Sequence, residues 1–177
     1  MVEDQNFSEA GSMMDQNLLW NYSLSEYKKP DVEALLMILQ DRFGADINLV
    51  LCCLWLATQG EELNQPELES LLKISASCQA KCIIPLRTLR RGLKGLGGAE
   101  AIREDVKSIE LKAERWQQDL CYRQIEHLSS AVNTQPVVEI GLVNLRRYSE
   151  NLIGVDWDDL SGFVIELINV TLVESNH

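Results

Sequence analysis

The sequence is poor in histidine. Of 177 residues only His127 and the C-terminal His177 are histidines, and no H-E-x-x-H zinc motif, G-x-S-x-G elbow or lysine-bearing phosphate loop is present. His127 falls near the end of a long helical pattern, where an imidazolium meets the negative end of the helix dipole. Long apolar runs are missing too. The longest, Leu49 to Ala57, is far too short to cross a bilayer. No early segment joins basic residues to an apolar stretch and a small-residue cleavage site, so no secretory signal is expected. Strand-turn-strand signals are absent, and the last 27 residues contain no lysine or arginine.

What is present is an ordinary globular balance, 46% hydrophobic and 24% charged, long enough for one domain with a sizeable core. The net charge of -11 disfavours nucleic acid and anionic membrane. Five cysteines, an odd number without a secretion signal, point to reduced thiols and a cytoplasmic location. Cys52 and Cys53 lie inside the most apolar run, about 100° apart on a helix, so they form no pincer and read as core. Cys78 and Cys82 share a helix face, and Cys121 with one of the adjacent pair could complete four ligands. All of these positions also belong to apolar stripes, so no metal and no cofactor is expected.

Periodicity predicts an all-α, single-domain bundle of about seven helices with one long helical hairpin. Residues 1–15 read as a flexible N-terminal tail and 16–177 as the bundle domain. "NLLWNYSLSEY" opens the ordered part. "PDVEALLMILQDRFG" runs from Pro30 to a stop at Gly44. Asp46 then caps the nearly all-apolar "INLVLCCLWLATQ", which should be the central buried helix. A fourth helix starts near Gln65 and carries Leu68, Leu71, Leu72, Cys78, Cys82, Leu86, Leu89 and Leu93, with Pro85 expected to kink or break it. "GLKGLGG" is a hairpin loop. The fifth helix should span roughly Ala99 to Ser130, with Ile102, Val106, Ile109, Ala113, Trp116 and Leu120 forming a coiled-coil-like seam that Cys121, Ile125, Leu128 and Val132 continue after a one-residue phase shift. After a break at Asn133 to Pro136, "VVEIGLVNLRRYSENL" and "DWDDLSGFVIELINVTLV" read as two shorter helices, the second capped by Asp156. Its β-branched end would suit a strand, but there is no partner for one.

No catalytic constellation emerges. The polar set Gln40, Asp41, Asp46 and Asn48 flanks the Gly44 turn, and two roles fit it. One is capping of two helix ends. The other is a polar pocket, with Asp41 or Asp46 paired to an arginine and Trp20 and Trp55 as walls.

Charge is distributed unevenly. Lys73, Lys81, Arg87, Arg90, Arg91 and Lys94 fall in a stretch from Lys73 to Ala99 that holds no acid. In "PLRTLRRGLK", Leu86, Leu89 and Leu93 are expected to face inward and the cations to form a ridge. The ridge could be neutralised internally by acids such as Glu104, Glu110 and Glu114. It could instead dock a protein partner with an acidic surface or bind a phosphate backbone, which the overall charge and the lack of interleaved aromatics disfavour. The working expectation is a non-enzymatic protein acting by protein–protein contact through Arg87, Arg90, Arg91 and Lys94. The alternative, a small-molecule site or cryptic enzyme, centres on residues 40–48.

The blocks "LLWNYSLSEY", "LQDRFGADINLVLCCLWLA", "PLRTLRRGLK" and "KSIELKAERWQQDL" together resemble a family of small proteobacterial helical proteins of unknown function. That family pattern has a Leu-Trp…Tyr helix, then L-Q-D-x-x-G-x-D-V-N-L-L-L-x-x-L-W, then L-R-x-L-R-R-x-L-K and an E-x-x-A-E helix. The likeness covers about residues 18–120, with Ile47 where the pattern often has valine. It implies a bacterial, cytoplasmic, helical protein and supplies no activity. The motif positions it singles out are Trp20, Tyr27, Gln40, Asp41, Asp46, Asn48, Trp55, Arg87, Arg90, Arg91 and Glu114.

Overall fold

The computed structural model describes residues 17–126 and 134–173. The expected 1–15 tail, His127, Leu128, Val132, His177 and the continuation of the fifth helix to Ser130 lie outside the described residues. Among the described residues the fold is all-α, with seven helices and no strand. They are α1 (Leu18–Tyr27), α2 (Pro30–Phe43), α3 (Ile47–Thr58), α4 (Gln65–Cys78 continuing through a π segment, Gln79–Ile83, into Ile84–Gly92), α5 (Glu100–Ile125), α6 (Val137–Ser149) and α7 (Trp157–Ile168, ending in a π segment, Asn169–Val173).

Local chemistry explains most of the boundaries. Asn17 caps α1, its side chain accepting the Trp20 N–H at 2.9 Å while its amide donates to Asp119 on α5 at 2.7 Å. Pro30 sits in the first turn of α2, where its missing N–H costs nothing. The same helix ends at Gly44 with φ of 69°, a left-handed conformation that favours glycine. Asp46 caps α3 by accepting the Asn48 N–H at 3.0 Å. Asn64 and Glu67 form a reciprocal capping box on α4, satisfying two orphan donors. Asp156 caps α7. The β-branched end of α7 stays helical, with the Thr171 hydroxyl bonded back to Leu167 O at 2.7 Å.

At the centre lies α3, buried from Asn48 to Ala57 and packed by α1, α2, α5 and above all α6. Cys52 and Cys53 are fully buried there among leucines. One side chain pins the loop after α3. Asn144 of α6 accepts the Leu63 N–H at 2.8 Å and donates to Glu61 O at 3.0 Å and Cys53 O at 3.3 Å. No helix among the described residues is long and apolar enough to cross a membrane.

Two expectations about the α4–α5 hairpin need correction, and they share one cause. Pro85 does not break α4. Proline lacks an N–H and clashes with the carbonyl four residues back. The chain widens ahead of it into a π turn, in which the Ile84 N–H reaches Gln79 O, five residues back. A π turn holds one residue more than an α turn, so it advances the buried face by one position. Burial passes from Leu68, Leu71, Ser75 and Cys78 to Ile83 rather than Cys82. Beyond it Arg87 and Arg90 turn towards α5, and Leu89, expected inside, is 51% exposed. α5 answers in kind. Its buried face is Val106, Glu110, Ala113, Gln117, Cys121 and Ile125, so the expected seam holds at Val106 and Ala113, partly at Leu120, and in its shifted continuation at Cys121 and Ile125. Ile102, Ile109 and Trp116 are left about half exposed.

A charged cleft as the candidate functional site

The shift brings the arginines of α4 against the carboxylates of α5. Arg87 Nε lies 3.0 Å from Glu110 Oε1 and its Nη2 lies 3.0 Å from Glu114 Oε1. Arg90 grips Glu110 with two donors, Nε to Oε2 and Nη2 to Oε1, the latter at 3.1 Å. This fork geometry is the strong form of an ion pair. Arg91 pairs with Asp41 at 3.0 Å on the more exposed edge, both side chains about half open to solvent. Lys94 is exposed beyond the end of α4.

The two glutamates respond in opposite directions. Burial would push the Glu110 carboxyl up, but its hydrogen bonds to Arg90 and Arg87 and their charge outweigh it and hold the group below its ordinary range. For Glu114 burial wins over Arg87, and nearby Glu110 and Asp46 add repulsion, so its pKa rises.

Behind these pairs runs a chain of buried amides. Asp46 Oδ2 accepts from Ser75 Oγ of α4 and Gln117 Nε2 of α5, while its own N–H donates to the Tyr148 hydroxyl at 2.7 Å. That buried phenol is held protonated by desolvation. Gln117 Oε1 accepts from Asn48 Nδ2 and from Gln79 Nε2 of the π segment, both at 3.1 Å. Asn48 Nδ2 also reaches Glu114 O at 3.4 Å, and Asn48 Oδ1 accepts from Gln118 Nε2 at 2.9 Å. The end of the chain, Gln118 Oε1, has no hydrogen-bond partner among the described residues, nor has the Ser23 hydroxyl of α1.

All of this borders a cleft of about 430 Å³ between α1, α2 and the α4–α5 hairpin. Gln40, Asp46, Asn48, Trp20, Arg87, Arg90 and Arg91 line it, joined by Ser23, Gln118, Glu110 and Glu114. Leu24, Met37, Ile47, Leu51 and Leu111 give it an apolar body. Thus the two clusters that the sequence offered as rivals, the 40–48 turn and the arginines, stand at one place. Two expected members stay out. Trp55 lies two turns along α3 from Asn48, nearly buried and packed against Tyr122 at 5.6 Å. Asp41 does not line the cleft and stands beside it, on Arg91. Sequence reasoning missed Ser23, Gln79, Gln117 and Gln118, since a polar residue on a helix gives no sign of turning inward. The phase of α5 was the one available signal, because Gln117 falls on the face of Val106, Glu110 and Ala113.

Thiol chemistry is suppressed. Burial pushes Cys53 up to about 12 and raises Cys52, Cys78 and Cys121 as well. Among the described residues no group of three or more His, Cys, Asp or Glu side chains is placed to hold a metal ion.

Fold and site together define a small all-α protein whose helical hairpin closes a charged, partly apolar cleft. A family model described as protein of unknown function (DUF2390) matches residues 18–121, and the chain belongs to that family. The matched span contains every residue that lines the cleft. No curated protein and no solved structure matches the chain.

Proposed function

We propose that the cleft binds a small organic anion. The observation that carries this reading is the convergence of Arg87, Arg90, Arg91 and Lys107 on a cavity with an apolar body, in which Glu33, Asp46, Glu110 and Glu114 also stand. Its size lies within the range of small-molecule sites, roughly 300–1,000 Å³. Arg87 and Arg90 are fixed by Glu110 and Glu114, so the groups that meet an incoming anion are Arg91 and Lys107, whose pairs with Asp41 and Glu104 are solvent-exposed and readily exchanged. Thermal-shift measurement over a panel of carboxylate and phosphate metabolites tests the reading. A ligand should raise the melting temperature of wild type, lose much of its effect in Arg91→Ala and have none in Leu24→Trp, which fills the cleft from a half-exposed position. A flat response of wild type across the panel rejects the reading.

A second reading keeps the basic segment as a docking surface for an acidic protein in the cytoplasm of a bacterium. What favours it is the outward side of α4's end, where Leu89, Arg91 and Lys94 are exposed together. It requires salt-sensitive capture of an acidic protein, lost in Arg91→Glu/Lys94→Glu. Capture unaffected by these changes removes it.

A further inference from the structure

The buried amide chain has a direction, and the direction specifies what the deep end of the cleft can accept. A carboxylate only accepts hydrogen bonds, so Asp46 forces Gln117 to turn its Nε2 towards it. Gln117 then offers its oxygen to Asn48 and Gln79. Asn48, donating to that oxygen and to Glu114 O, must present its own oxygen to Gln118, which therefore donates. Every amide orientation follows from the one before it. What remains is Gln118 Oε1, an acceptor, in a side chain only 1% exposed at the cleft wall. Beside the same cleft the hydroxyl of Ser23, 4% exposed, is also unpartnered. A buried acceptor left unpaired is costly.

We infer that the cleft takes a linear ligand with a hydrogen-bond donor head, an amine or amide N–H or a hydroxyl, seated at Gln118, and an anionic tail directed to Arg91, beside the Arg90–Glu110 pair. This rests on the proposed reading of the cleft as a ligand site and names the class of ligand. Length follows from α5. Arg90 is bound to Glu110, and Gln118 lies eight residues further along the helix, roughly 12 Å at 1.5 Å per residue. Head and tail are therefore well separated, as in an amino-terminated chain acid or a short peptide, and unlike a free α-amino acid. The apolar wall of Leu24, Met37 and Leu51 suits the body between them.

The test uses matched probes, the ω-amino acids from 4-aminobutanoate to 10-aminodecanoate, each against the alkanoate of the same chain length. Each pair shares the anion and the body and differs at the head. Calorimetry with wild type should find an optimum at intermediate length, with the amino compound bound at least tenfold tighter than its alkanoate. In Gln118→Met, which keeps the shape and removes the acceptor together with the Nε2 donor to Asn48 Oδ1, the preference should vanish or pass to the alkanoate. Ser23→Ala, which deletes an unpartnered hydroxyl elsewhere on the cleft wall, should keep or raise the melting temperature and leave the head preference unchanged. Equal binding of both series to wild type overturns the donor inference and leaves the cleft reading standing. A donor preference that survives in Gln118→Met overturns the assignment of the head to Gln118. Failure of every probe at every length overturns the cleft reading and this inference with it.

Discussion

Two glutamates one turn apart on α5 carry opposite contributions to stability. Glu110, held below its ordinary value of 4.5 by Arg90 and Arg87 against the pull of burial, stabilises the fold above that value. The contribution is lost as pH falls through its folded-state pKa. Glu114, raised above 4.5 chiefly by burial, favours the fold while protonated, and that contribution is lost as pH rises through its folded-state pKa. From these two groups stability should be greatest near pH 4.5, where Glu110 is already ionised in the fold and Glu114 still protonated. Urea unfolding between pH 4 and 8 checks this. Glu110→Gln should cost about 2 kcal/mol at pH 7, because it leaves two partly buried guanidiniums short of a carboxylate, with a deficit that shrinks below pH 4.5. Glu114→Gln should match or exceed wild type at pH 7, and the gap should close at the acidic end. A deficit for Glu114→Gln at pH 7 as large as that of Glu110→Gln contradicts this account.

The α4–α5 hairpin shows how far helical phase could be read from sequence. Apolar spacing located both helices, the hairpin loop and the caps at Asp46 and Asp156, because each signal is local and has a backbone reason. It misjudged which stripe of each helix is buried. A straight α-helix places Leu86, Leu89 and Leu93 inward; the π turn that accommodates Pro85 turns Leu89 out and Arg87 and Arg90 in, while Leu86 stays half-buried against Ile83 and Ala113. On α5, Ile102, Ile109 and Trp116 mimic a seam, while the true buried face carries Glu110 and Gln117, chosen by partners remote in sequence. Truncations should separate the two faces. Ile109→Gln should change stability by less than about 0.5 kcal/mol, whereas Ala113→Gln, forcing an amide between Cys78 and Ile83, should cost about 2 kcal/mol or more. Equal costs in chemical denaturation show that the face assignment is wrong. The candidate site was half legible: its charged residues stood out by composition, while Ser23, Gln117 and Gln118 needed coordinates.

Across the whole molecule the cysteines sample the two hydrophobic clusters. Cys52, Cys53 and Cys121 lie in the main core, and Cys78 in the smaller one with Ile83 and Ala113, while Cys82 packs only partly against it. Burial and the suppression of thiolate make the four buried thiols inert towards disulfide reagents while the fold persists. Labelling of native protein should release at most one fast equivalent, from Cys82. The five cysteines of the chain should all react after denaturation. Two or more fast equivalents in native protein show that one cluster opens independently of the other.

Deletion of a single codon in the π segment would be milder for the cleft than exchange of its side chains. The segment Gln79–Ile83 holds one residue beyond what an α-helical turn needs, and that surplus sets the rotation of everything after it. A homologue with one residue fewer between Cys78 and Pro85 would keep every arginine in the same local motif. It would also keep those arginines on the cleft, because a straight α-helix then places Ile83, Arg87 and Arg90 on the face of Cys78 without a π turn. In comparing relatives, a one-residue gap in that short interval therefore leaves the cleft's charge in place, and substitutions at the arginines carry the greater weight.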